Sequence, residues 1–452
     1  MLDGLRAACP PLTLDTDPAV CEAASLDALR PFRARPDFAA ARVRPLAVAE
    51  PANAGELSAA IRWAAAQGVA LVARGGGSGL MGAAAVVRPA IVVDLRRMNA
   101  VAIDADACLA RAGAGATLAS VEAALAPHGL MLGHDPWTVG VATVGGAIGT
   151  NGLGYLGARA GSIAAQVQAL EMVMADGRIV RTRASPARSV GLDPARLLVG
   201  TEGTLGLVTE ATLAALPRPE ERLVRGYRMP SFEAGVTVAA RCRRIGVRPA
   251  CLELSAEELP PAPAFLLVVF DGLRGEARLH AERAAEIVQA AGGEASSGRE
   301  AEEKWSARHA IAERWAASRN ARAGNWLAGG QFDYAHVGVP LAALGEVRAA
   351  AHALIRRHEL GLVEEGLWHW PELYSVVVTG PADAAAAIRD TIDGVLRAAQ
   401  DAGGTMEYCH GVGWKLAHLM EREHGAAGLD VVRRVKAALD PAGILNPGKG
   451  GL

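Results

Sequence analysis

Short apolar runs separated by amphipathic stretches dominate the first half of the chain, a pattern typical of strands that alternate with helices. The apolar runs predict strands at residues 45–51, 69–73, 90–95 and 109–113. Hydrophobic positions at helical spacing predict helices at residues 54–67 and 117–126. A hairpin is predicted by two runs around an Ala-Asp-Gly turn, at residues 167–174 and 179–183. This half is therefore expected to combine short strands with crossing helices.

A different pattern begins after a proline-rich break at residues 217–219, where longer helices appear. Strands are predicted at residues 223–228, 251–254, 265–270 and 375–378. Helices rich in Ala, Arg and Glu are predicted at residues 234–245, 275–291, 342–358 and 384–402. Such an order favours an α+β layer. The expected organisation is an N-terminal helical segment (1–42), a first domain (43–220), a second domain (221–420) and a C-terminal tail (421–452).

Composition narrows the classes of function. The chain has 452 residues, 51% of them hydrophobic and 21% charged, which is enough for several globular domains. Its net charge of −2 provides no positive field for nucleic acid or an anionic membrane, and no apolar run is long enough to span a membrane. The six cysteines lack CxxC and metal-ligand spacing, and the first residues do not resemble a signal peptide. We therefore expect a cytoplasmic protein with reduced thiols.

Three glycine-rich segments are the main candidates for a ligand site. The first, Arg74-Gly75-Gly76-Gly77-Ser78-Gly79-Leu80, directly follows the predicted strand at residues 69–73. Adjacent glycines allow close approach of the backbone to a ligand, and their N–H groups can converge on a phosphate or pyrophosphate. Two further segments, at residues 134–157 and 202–208, fit the same ligand.

The three segments resemble the FAD-binding domain of the vanillyl-alcohol oxidase (PCMH) type. The closer similarity is to the branch that contains D-lactate and D-2-hydroxyglutarate dehydrogenases, glycolate oxidase and alkylglycerone-phosphate synthase. The residues that the resemblance implies as FAD contacts are Arg74, Gly75, Gly76, Gly77, Ser78, Gly79, Leu80, Pro136, Trp137, Thr138, Val139, Gly140, Thr143, Gly145, Gly146, Thr150, Asn151, Gly152, Glu202, Gly203, Thr204, Gly206, Leu207, Val208 and, from a similar C-terminal motif, Asn446. The first loop has no His for covalent attachment, so non-covalent FAD is expected.

The resemblance also implies a fold. We expect an α+β protein in which a PCMH-type FAD-binding domain of two α/β subdomains is joined to a substrate (cap) domain. The cap domain is expected to contain an antiparallel sheet covered by helices. In proteins of this type the C-terminal tail returns to the FAD-binding domain, so that domain is expected to be discontinuous.

Four residues of the second half are candidate catalytic residues. Arg308 ends a W-x-x-R motif similar to the one that holds the substrate carboxylate, a task that suits a planar guanidinium. His410, in a segment similar to G-E-H-G-I-G-x-x-K, is the expected base, because an imidazole with a pKa of about 6.5 can accept a proton at neutral pH. His369 is expected to act as a second acid or base or to orient the substrate, and Tyr374 to hydrogen-bond it. Gln331 replaces a carboxylate-binding Lys, which is a departure from the simple 2-hydroxy-acid enzymes.

The resemblance implies an incomplete metal site. In the dehydrogenases, two His of an H-x-G-D-G-N-x-H motif bind a divalent metal together with a later Glu. Here the first motif retains only His369, and Cys409 replaces the Glu. Because an active divalent site needs about three protein ligands, we expect no metal.

We therefore predict an FAD-dependent oxidoreductase that oxidises a hydroxyl-bearing, 2-hydroxy-acid-like small molecule. In this hypothesis His410 removes the hydroxyl proton while the α-hydrogen leaves as hydride to flavin N5. One alternative is an alkylglycerone-phosphate-synthase-like enzyme that forms a flavin–substrate adduct without net oxidation, with Arg319 and Arg322 binding a phosphate. Another is a flavin-binding subunit of a larger redox complex. A homodimer is compatible with the sequence, which does not identify the electron acceptor.

Overall fold

The computed structural model describes residues 2–318 and 330–452. A sheet with the strand order β1–β2–β4–β3 lies near the N-terminus, and β2 and β3 both run parallel to the central β4. The elements of this region are α1 (Leu2–Ala8), β1 (Thr13–Asp15), α2 (Pro18–Ala24), α3 (Phe38–Ala41), β2 (Ala47–Glu50), α4 (Ala54–Gln67), β3 (Ala70–Arg74) and β4 (Ala90–Asp94). The first glycine-rich segment therefore begins at the carboxyl end of β3.

Helix α4 shows how the sequence sets an element's limits. Asn53 caps its start: Asn53 Oδ1 accepts a hydrogen bond from the Glu56 N–H at 3.0 Å, and the Glu56 carboxylate accepts one from the Asn53 side chain. The helix ends at Gly68, whose φ of +65° is the left-handed conformation that glycine adopts at little cost. The side chains on its buried face include Leu57, Ile61 and Ala64. The predicted bounds of this helix are confirmed.

An antiparallel sheet with the order β5–β6–β10–β8–β9 follows, and β7 pairs with β11 beside it. The elements are β5 (Val101–Asp104), β6 (Leu109–Gly113), α5 (Leu118–Leu125), β7 (Leu130–Met131), α6 (Val144–Thr150), α7 (Gly157–Ala160), α8 (Ile163–Gln166), β8 (Val167–Val173), β9 (Ile179–Arg181), α9 (Pro194–Leu198), β10 (Leu207–Ala214) and β11 (Leu216–Pro217). This sheet shares one apolar core with the N-terminal sheet, formed by side chains that include Leu71, Ile91, Leu118, Val144 and Leu213.

The second half forms an antiparallel sheet with the order β15–β12–β14–β13–β17–β18–β16. Its elements are β12 (Glu221–Met229), α10 (Phe232–Arg244), β13 (Cys251–Ala256), β14 (Ala264–Gly272), α11 (Arg274–Ala290), β15 (Glu294–Ala295), α12 (Gly298–Ser306), α13 (Ala310–Ser318), β16 (Gln331–Gly338), α14 (Leu344–Arg357), β17 (Gly361–Trp368), β18 (Leu373–Gly380), α15 (Ala385–Asp401) and α16 (Met420–Leu439). Helices α10, α11, α14 and α15 pack against the sheet. The predicted α+β architecture is confirmed. Arg319 and Arg322, which would bind a phosphate only in the synthase-like alternative, lie outside the described residues.

Strands β16 and β17 are absent from the sequence prediction. Their sequences place charged residues at buried positions, which obscures the alternation that marks a strand. In β16, Asp333 is buried because Arg33 Nε and Lys415 Nζ both donate to it at 2.7 Å. Burial alone would raise the pKa of Asp333, but these two cations lower it. In β17, buried Glu365 likewise accepts hydrogen bonds from Arg348.

Both terminal regions attach to distant layers. Arg33, in a short 3-10 turn of the N-terminal segment, reaches the second-half sheet through Asp333. At the other end, Leu445 pairs with Leu71 as a parallel bridge at the edge of β3. Lys436 Nζ in α16 donates to the Thr204 and Leu445 carbonyls, both at 2.7 Å. The C-terminal tail therefore packs behind the glycine-rich segments of the first half.

Two expectations from composition can be compared with this fold. Within residues 2–318 and 330–452, we find no helix with the length and apolar character that crossing a bilayer requires. The six cysteines, all within the described residues, form no disulfide with one another.

Candidate active site

The three glycine-rich segments meet around one cleft, here called the glycine-lined cleft. The first segment contributes all of residues 74–80. The predicted residues of the other two segments that line it are Pro136, Trp137, Thr138, Thr143, Gly145, Gly146, Thr150, Gly152, Glu202, Gly203, Gly206, Leu207 and Val208. Asp27 from the N-terminal segment and His410 from the second half also reach it. Segments far apart in sequence thus build a single site.

The first loop packs closely against the second. A Cβ on Gly76 would lie 1.9 Å from the Val141 carbonyl oxygen, and one on Gly75 would lie 2.2 Å from Thr143 Oγ1. Gly77 has a φ of +64°, which side-chain-bearing residues rarely adopt. The cleft wall at this point is therefore backbone, the surface that a pyrophosphate or a flat ring can approach most closely.

Glu202 connects the third loop to the second half of the chain. Its carboxylate accepts hydrogen bonds from the Val412 N–H at 2.9 Å and the Gly413 N–H at 2.8 Å. Gly411 must lack a side chain, because a Cβ there would lie 2.2 Å from Glu202 Oε1. Burial raises the pKa of Glu202 to about 7 despite these N–H donors. The loop that carries His410 is thereby fixed against the glycine-lined cleft.

Several buried polar atoms near the cleft have no hydrogen-bond partner among the described residues. They include Nδ1 of His134, which lines the cleft, and Nζ of Lys449, which is close to Asp27 and Glu202. Burial lowers the pKa of Lys449 to about 8, although both carboxyl groups act to raise it. Unpaired buried polar groups behind a glycine wall fit an anionic, hydrogen-bonding ligand such as the pyrophosphate of a dinucleotide.

Five predicted contacts stand behind the cleft and do not line it: Val139, Gly140, Asn151, Thr204 and Asn446. Asn151 ends α6 with a φ of +51°, and Thr204 Oγ1 donates to the Thr201 carbonyl. Asn446 Nδ2 donates to the Ala83 and Glu202 carbonyls, at 2.9 and 2.6 Å. The contacts of Asn151, Thr204 and Asn446 therefore fix the shape of the loops that form the cleft.

A second cavity of about 400 Å³ adjoins the cleft beneath the second-half sheet. It is called the aromatic cavity because its walls include Trp137, Tyr155, Trp315, Phe332, Tyr334, Trp368 and Tyr408. The residues that line both spaces are Ser78, Leu80, Trp137, Thr138, Leu153, Cys409 and His410. A ligand in the aromatic cavity can therefore contact a ligand in the cleft.

His410 stands on this shared wall, where its position supports a role in proton transfer. Its Nδ1 lies 3.4 Å from Glu407 Oε1 and 3.2 Å from Cys409 Sγ. The Glu407 carboxylate also accepts from the backbone N–H groups of Cys409 and His410. Burial would raise the pKa of Glu407, but His410 and these donors hold it at about 2. An anionic carboxylate is therefore held beside the His410 imidazole.

Comparison with known proteins identifies the family of this chain. Residues 45–183 match the family described as "FAD binding domain", and residues 218–450, more than half of the chain, match "FAD linked oxidases, C-terminal domain". The chain belongs to the FAD-linked oxidase family. This FAD-linked oxidase is 28% identical to D-lactate dehydrogenase from Archaeoglobus fulgidus, over 89% of this chain and 90% of that protein. It is 29% identical to D-2-hydroxyglutarate dehydrogenase from Xanthomonas citri pv. viticola, over 98% and 95% of the two chains.

The fold also matches a solved structure. The crystal structure of p-cresol methylhydroxylase with substrate bound superposes with a TM-score of 0.78, over 100% of this chain and 96% of that one, at 14% identity. That likeness confirms the predicted PCMH-type fold of this FAD-linked oxidase. Its cofactor is FAD.

Arg308 lies on the wall of the aromatic cavity, as its predicted role requires. Its Nε donates to Asp135 Oδ2 at 3.1 Å, and its guanidinium stacks over the Trp305 ring at 4.0 Å. Asp135 also pairs with His309 at 2.8 Å. Although burial opposes its charge, these partners lower the pKa of Asp135. The FAD-linked oxidase therefore presents a fixed cation to this cavity.

His369 also borders the aromatic cavity, but its contacts are largely structural. Its Nε2 lies 2.8 Å from the Gly154 carbonyl oxygen, and its ring leaves no room for a Cβ on Gly157, which would lie 2.7 Å away. Burial lowers the pKa of His369 to about 4. The neutral ring thus joins the second glycine-rich segment to the end of β17.

Tyr374 is placed away from both spaces. Its side chain is fully buried within the second-half core, its ring packs edge-on against Phe232, and its hydroxyl donates to Glu365 at 3.1 Å. The structure does not bring Tyr374 to the predicted catalytic residues. Gln331 likewise does not line the aromatic cavity, and its Nε2 donates to the Ala382 carbonyl.

The structure adds residues that the sequence analysis did not assign. His336 of β16 joins Cys409 and His410 in a group whose potential ligand atoms lie within 4.8 Å of one another. The count of metal ligands made from the sequence omitted His336, because motif comparison covers only segments that resemble the family. The sequence analysis assigned no role to Glu407, and Arg33 lies in an N-terminal segment that has no recognisable motif. Only the pairing of β16 with its neighbours reveals these proximities.

Proposed function

We propose that this FAD-linked oxidase oxidises the C–OH group of a hydroxy acid, with His410 as the base. The observation that carries the proposal is the position of His410 on the wall shared by the glycine-lined cleft and the aromatic cavity. We place FAD in the cleft and the substrate in the aromatic cavity. The names of the two relatives, which are dehydrogenases of D-lactate and D-2-hydroxyglutarate, support this choice of substrate class.

Each polar residue has a distinct task in the proposed reaction. Bound FAD supplies the acceptor for two electrons. Glu407 lies on the Nδ1 side of His410, so that Nε2 is the atom that takes the hydroxyl proton as the carbon is oxidised. The Glu407 carboxylate then stabilises the imidazolium that forms. Arg308 attracts the substrate carboxylate to the cavity wall.

Anaerobic mixing of the FAD-containing protein with a panel of hydroxy acids tests this function. At least one acid should bleach the flavin absorbance in the wild-type protein. Replacement His410→Ala should retain FAD but suppress bleaching. Failure of every hydroxy acid to bleach the wild-type flavin would refute the proposal. Exchange of an acyl for an alkyl group without bleaching would support the synthase alternative instead.

We also propose a cytoplasmic location. The six free thiols support it, because disulfides are uncommon in reducing compartments. Thiol titration of unreduced, denatured protein from its native host should yield six thiols, and fewer would contradict the proposal.

A further inference from the structure

The aromatic cavity has an unusual share of the chain's rings. The chain contains only 8 Trp, 5 Tyr and 6 Phe residues. Seven of these line the aromatic cavity, together with Val363 and Val377. A site of about 400 Å³ falls within the roughly 300–1,000 Å³ of cavities that enclose drug-sized ligands. A three-carbon acid would leave most of this apolar surface uncovered.

The rings are held in place, so the cavity does not depend on a ligand to organise it. The Arg33 guanidinium stacks over the Tyr334 ring at 4.3 Å, and Asp333 fixes that guanidinium from the other side. On another part of the wall, the rings of Tyr155 and Trp368 lie 5.5 Å apart. Preorganised aromatic walls bind a flat, apolar group with little loss of side-chain entropy.

The charges of the wall select an anion. Four arginines line the aromatic cavity: Arg30, Arg33, Arg308 and Arg314. Among the described lining residues, Glu364 is the one carboxyl group, and burial raises its pKa to about 7. Arg33 and Arg308 are paired with Asp333 and Asp135, so the excess positive charge of the wall comes mainly from Arg30 and Arg314. This excess favours a substrate with an acidic group.

Several buried polar atoms of the wall have no hydrogen-bond partner among the described residues: Arg33 Nη2, His369 Nδ1 and the hydroxyls of Tyr334 and Tyr408. The Tyr408 ring lies 5.3 Å from that of His336, in the segment that leads to His410. An unsatisfied hydroxyl in an apolar cavity is accounted for by a polar atom of a bound molecule.

We propose that the substrate is a hydroxy acid with an aromatic side chain, whose ring occupies the aromatic cavity while its hydroxyl group meets His410. This proposal rests on the proposed oxidation and specifies its substrate class. The acid group is drawn by the arginines, and the ring covers the aromatic walls. Selection against lactate-sized acids follows from the surface that they leave unfilled.

Binding and oxidation should be measured separately. Flavin absorbance changes report binding of 3-phenylpropanoate and of propanoate, which cannot be oxidised because they lack the hydroxyl. The aromatic acid should bind at least about tenfold more tightly, given the apolar area that its ring buries. In anaerobic reduction, 3-phenyllactate should exceed lactate in the second-order rate constant by a similar factor.

A pair of variants tests whether the preference for an aromatic substrate depends on the walls of the aromatic cavity. Trp368→Leu should reduce the ratio of 3-phenyllactate to lactate rate constants at least about fivefold, since it removes one aromatic wall. Trp63→Leu, in α4 and outside the cavity, is the matched control and should leave the ratio unchanged. If Trp368→Leu does not fold with FAD bound, Phe332→Leu provides the same comparison.

Two failures are distinguishable. Reduction by lactate at least as efficient as by 3-phenyllactate, with equal binding of the two inert acids, would overturn the aromatic substrate while leaving the oxidation intact. Tight binding of 3-phenylpropanoate without reduction by any hydroxy acid would instead refute the proposed function.

Discussion

The glycine-lined cleft and the aromatic cavity share a wall but are built in opposite ways. The cleft is formed by three glycine-rich segments whose backbone supplies its surface. The cavity is formed by long side chains from the N-terminal segment, α13, β16, β17 and the loop before His410. In the proposed function, the cofactor would therefore contact backbone, and the substrate would contact side chains that can vary while the fold is retained.

The largest expected effect comes from adding a side chain at a position where the cleft wall is formed by glycine backbone. Gly76→Val should yield protein without bound FAD, because its Cβ would lie 1.9 Å from the Val141 carbonyl oxygen. Absorbance of the purified protein near the flavin bands measures this. Gly140→Ala is the matched control, since no atom lies within 4 Å of that Cβ. Normal FAD content in Gly76→Val would contradict the backbone interpretation.

Replacing the proposed base should lower the rate of flavin reduction but leave the FAD content unchanged. His410→Ala should slow flavin reduction by about 10²–10⁴-fold, the usual contribution of general base catalysis. FAD content should stay at the wild-type level, and the exposed His128→Ala should react normally. A reduction rate within twofold of wild type would remove His410 from the proposed mechanism. Stopped-flow absorbance measures the rate.

Asp333 joins the N-terminal segment to the cavity wall, so its loss tests how far the cavity depends on fixed side chains. Asp333→Asn should lower the free energy of unfolding by about 3–5 kcal/mol, because Arg33 and Lys415 would remain as unpaired buried cations. Denaturant unfolding measures this effect. Asp393→Asn, which breaks exposed pairs with Arg397 and His418, should cost less than about 1 kcal/mol.

The Glu407 carboxylate predicts a pH-dependent contribution to stability. Its pKa is about 2 in the folded protein against an ordinary 4.5, so it stabilises the fold above about pH 4.5 and loses this effect as pH falls towards 2. The free energy of unfolding of the wild type should exceed that of Glu407→Gln by about 3 kcal/mol near pH 6. This difference should shrink as the pH decreases to 3. Unfolding curves at several pH values measure it. A pH-independent difference would contradict the assignment. Slower flavin reduction by Glu407→Gln would show its effect on His410.

The smallest expected effect is that of treating the protein with a metal chelator. The proposed mechanism uses His410 as a free base, so treatment with a chelator should change the reduction rate by less than about twofold. The group of His336, Cys409 and His410 makes this a meaningful test. Loss of activity on chelation, restored by Zn²⁺, would contradict the expected absence of a metal. Metal analysis of the purified protein provides an independent measurement.

The residues of the glycine-lined cleft could be predicted from the sequence better than those of the aromatic cavity, for a physical reason. Residues 74–80 occur together in the chain and are recognisable as a loop that presents backbone, so most predicted cofactor contacts line the cleft. The cavity depends on pairing of β16 with β18, which brings Tyr334 and His336 near a loop about 70 positions later. Strands β16 and β17 were also hard to predict because the charged residues Asp333 and Glu365 occupy buried positions in them. Tyr374 was selected by its chemistry alone, and its neighbours in the core could not be inferred.

The bonds made by Asn446 have a consequence for biogenesis. Its backbone N–H donates to Leu71, and its side chain donates to the Ala83 and Glu202 carbonyls. During translation, residues 74–208 leave the ribosome long before Asn446, so the nascent flavin pocket lacks its rear support while the cap domain is still being made. We therefore expect stable coenzyme binding only after the returning tail has docked.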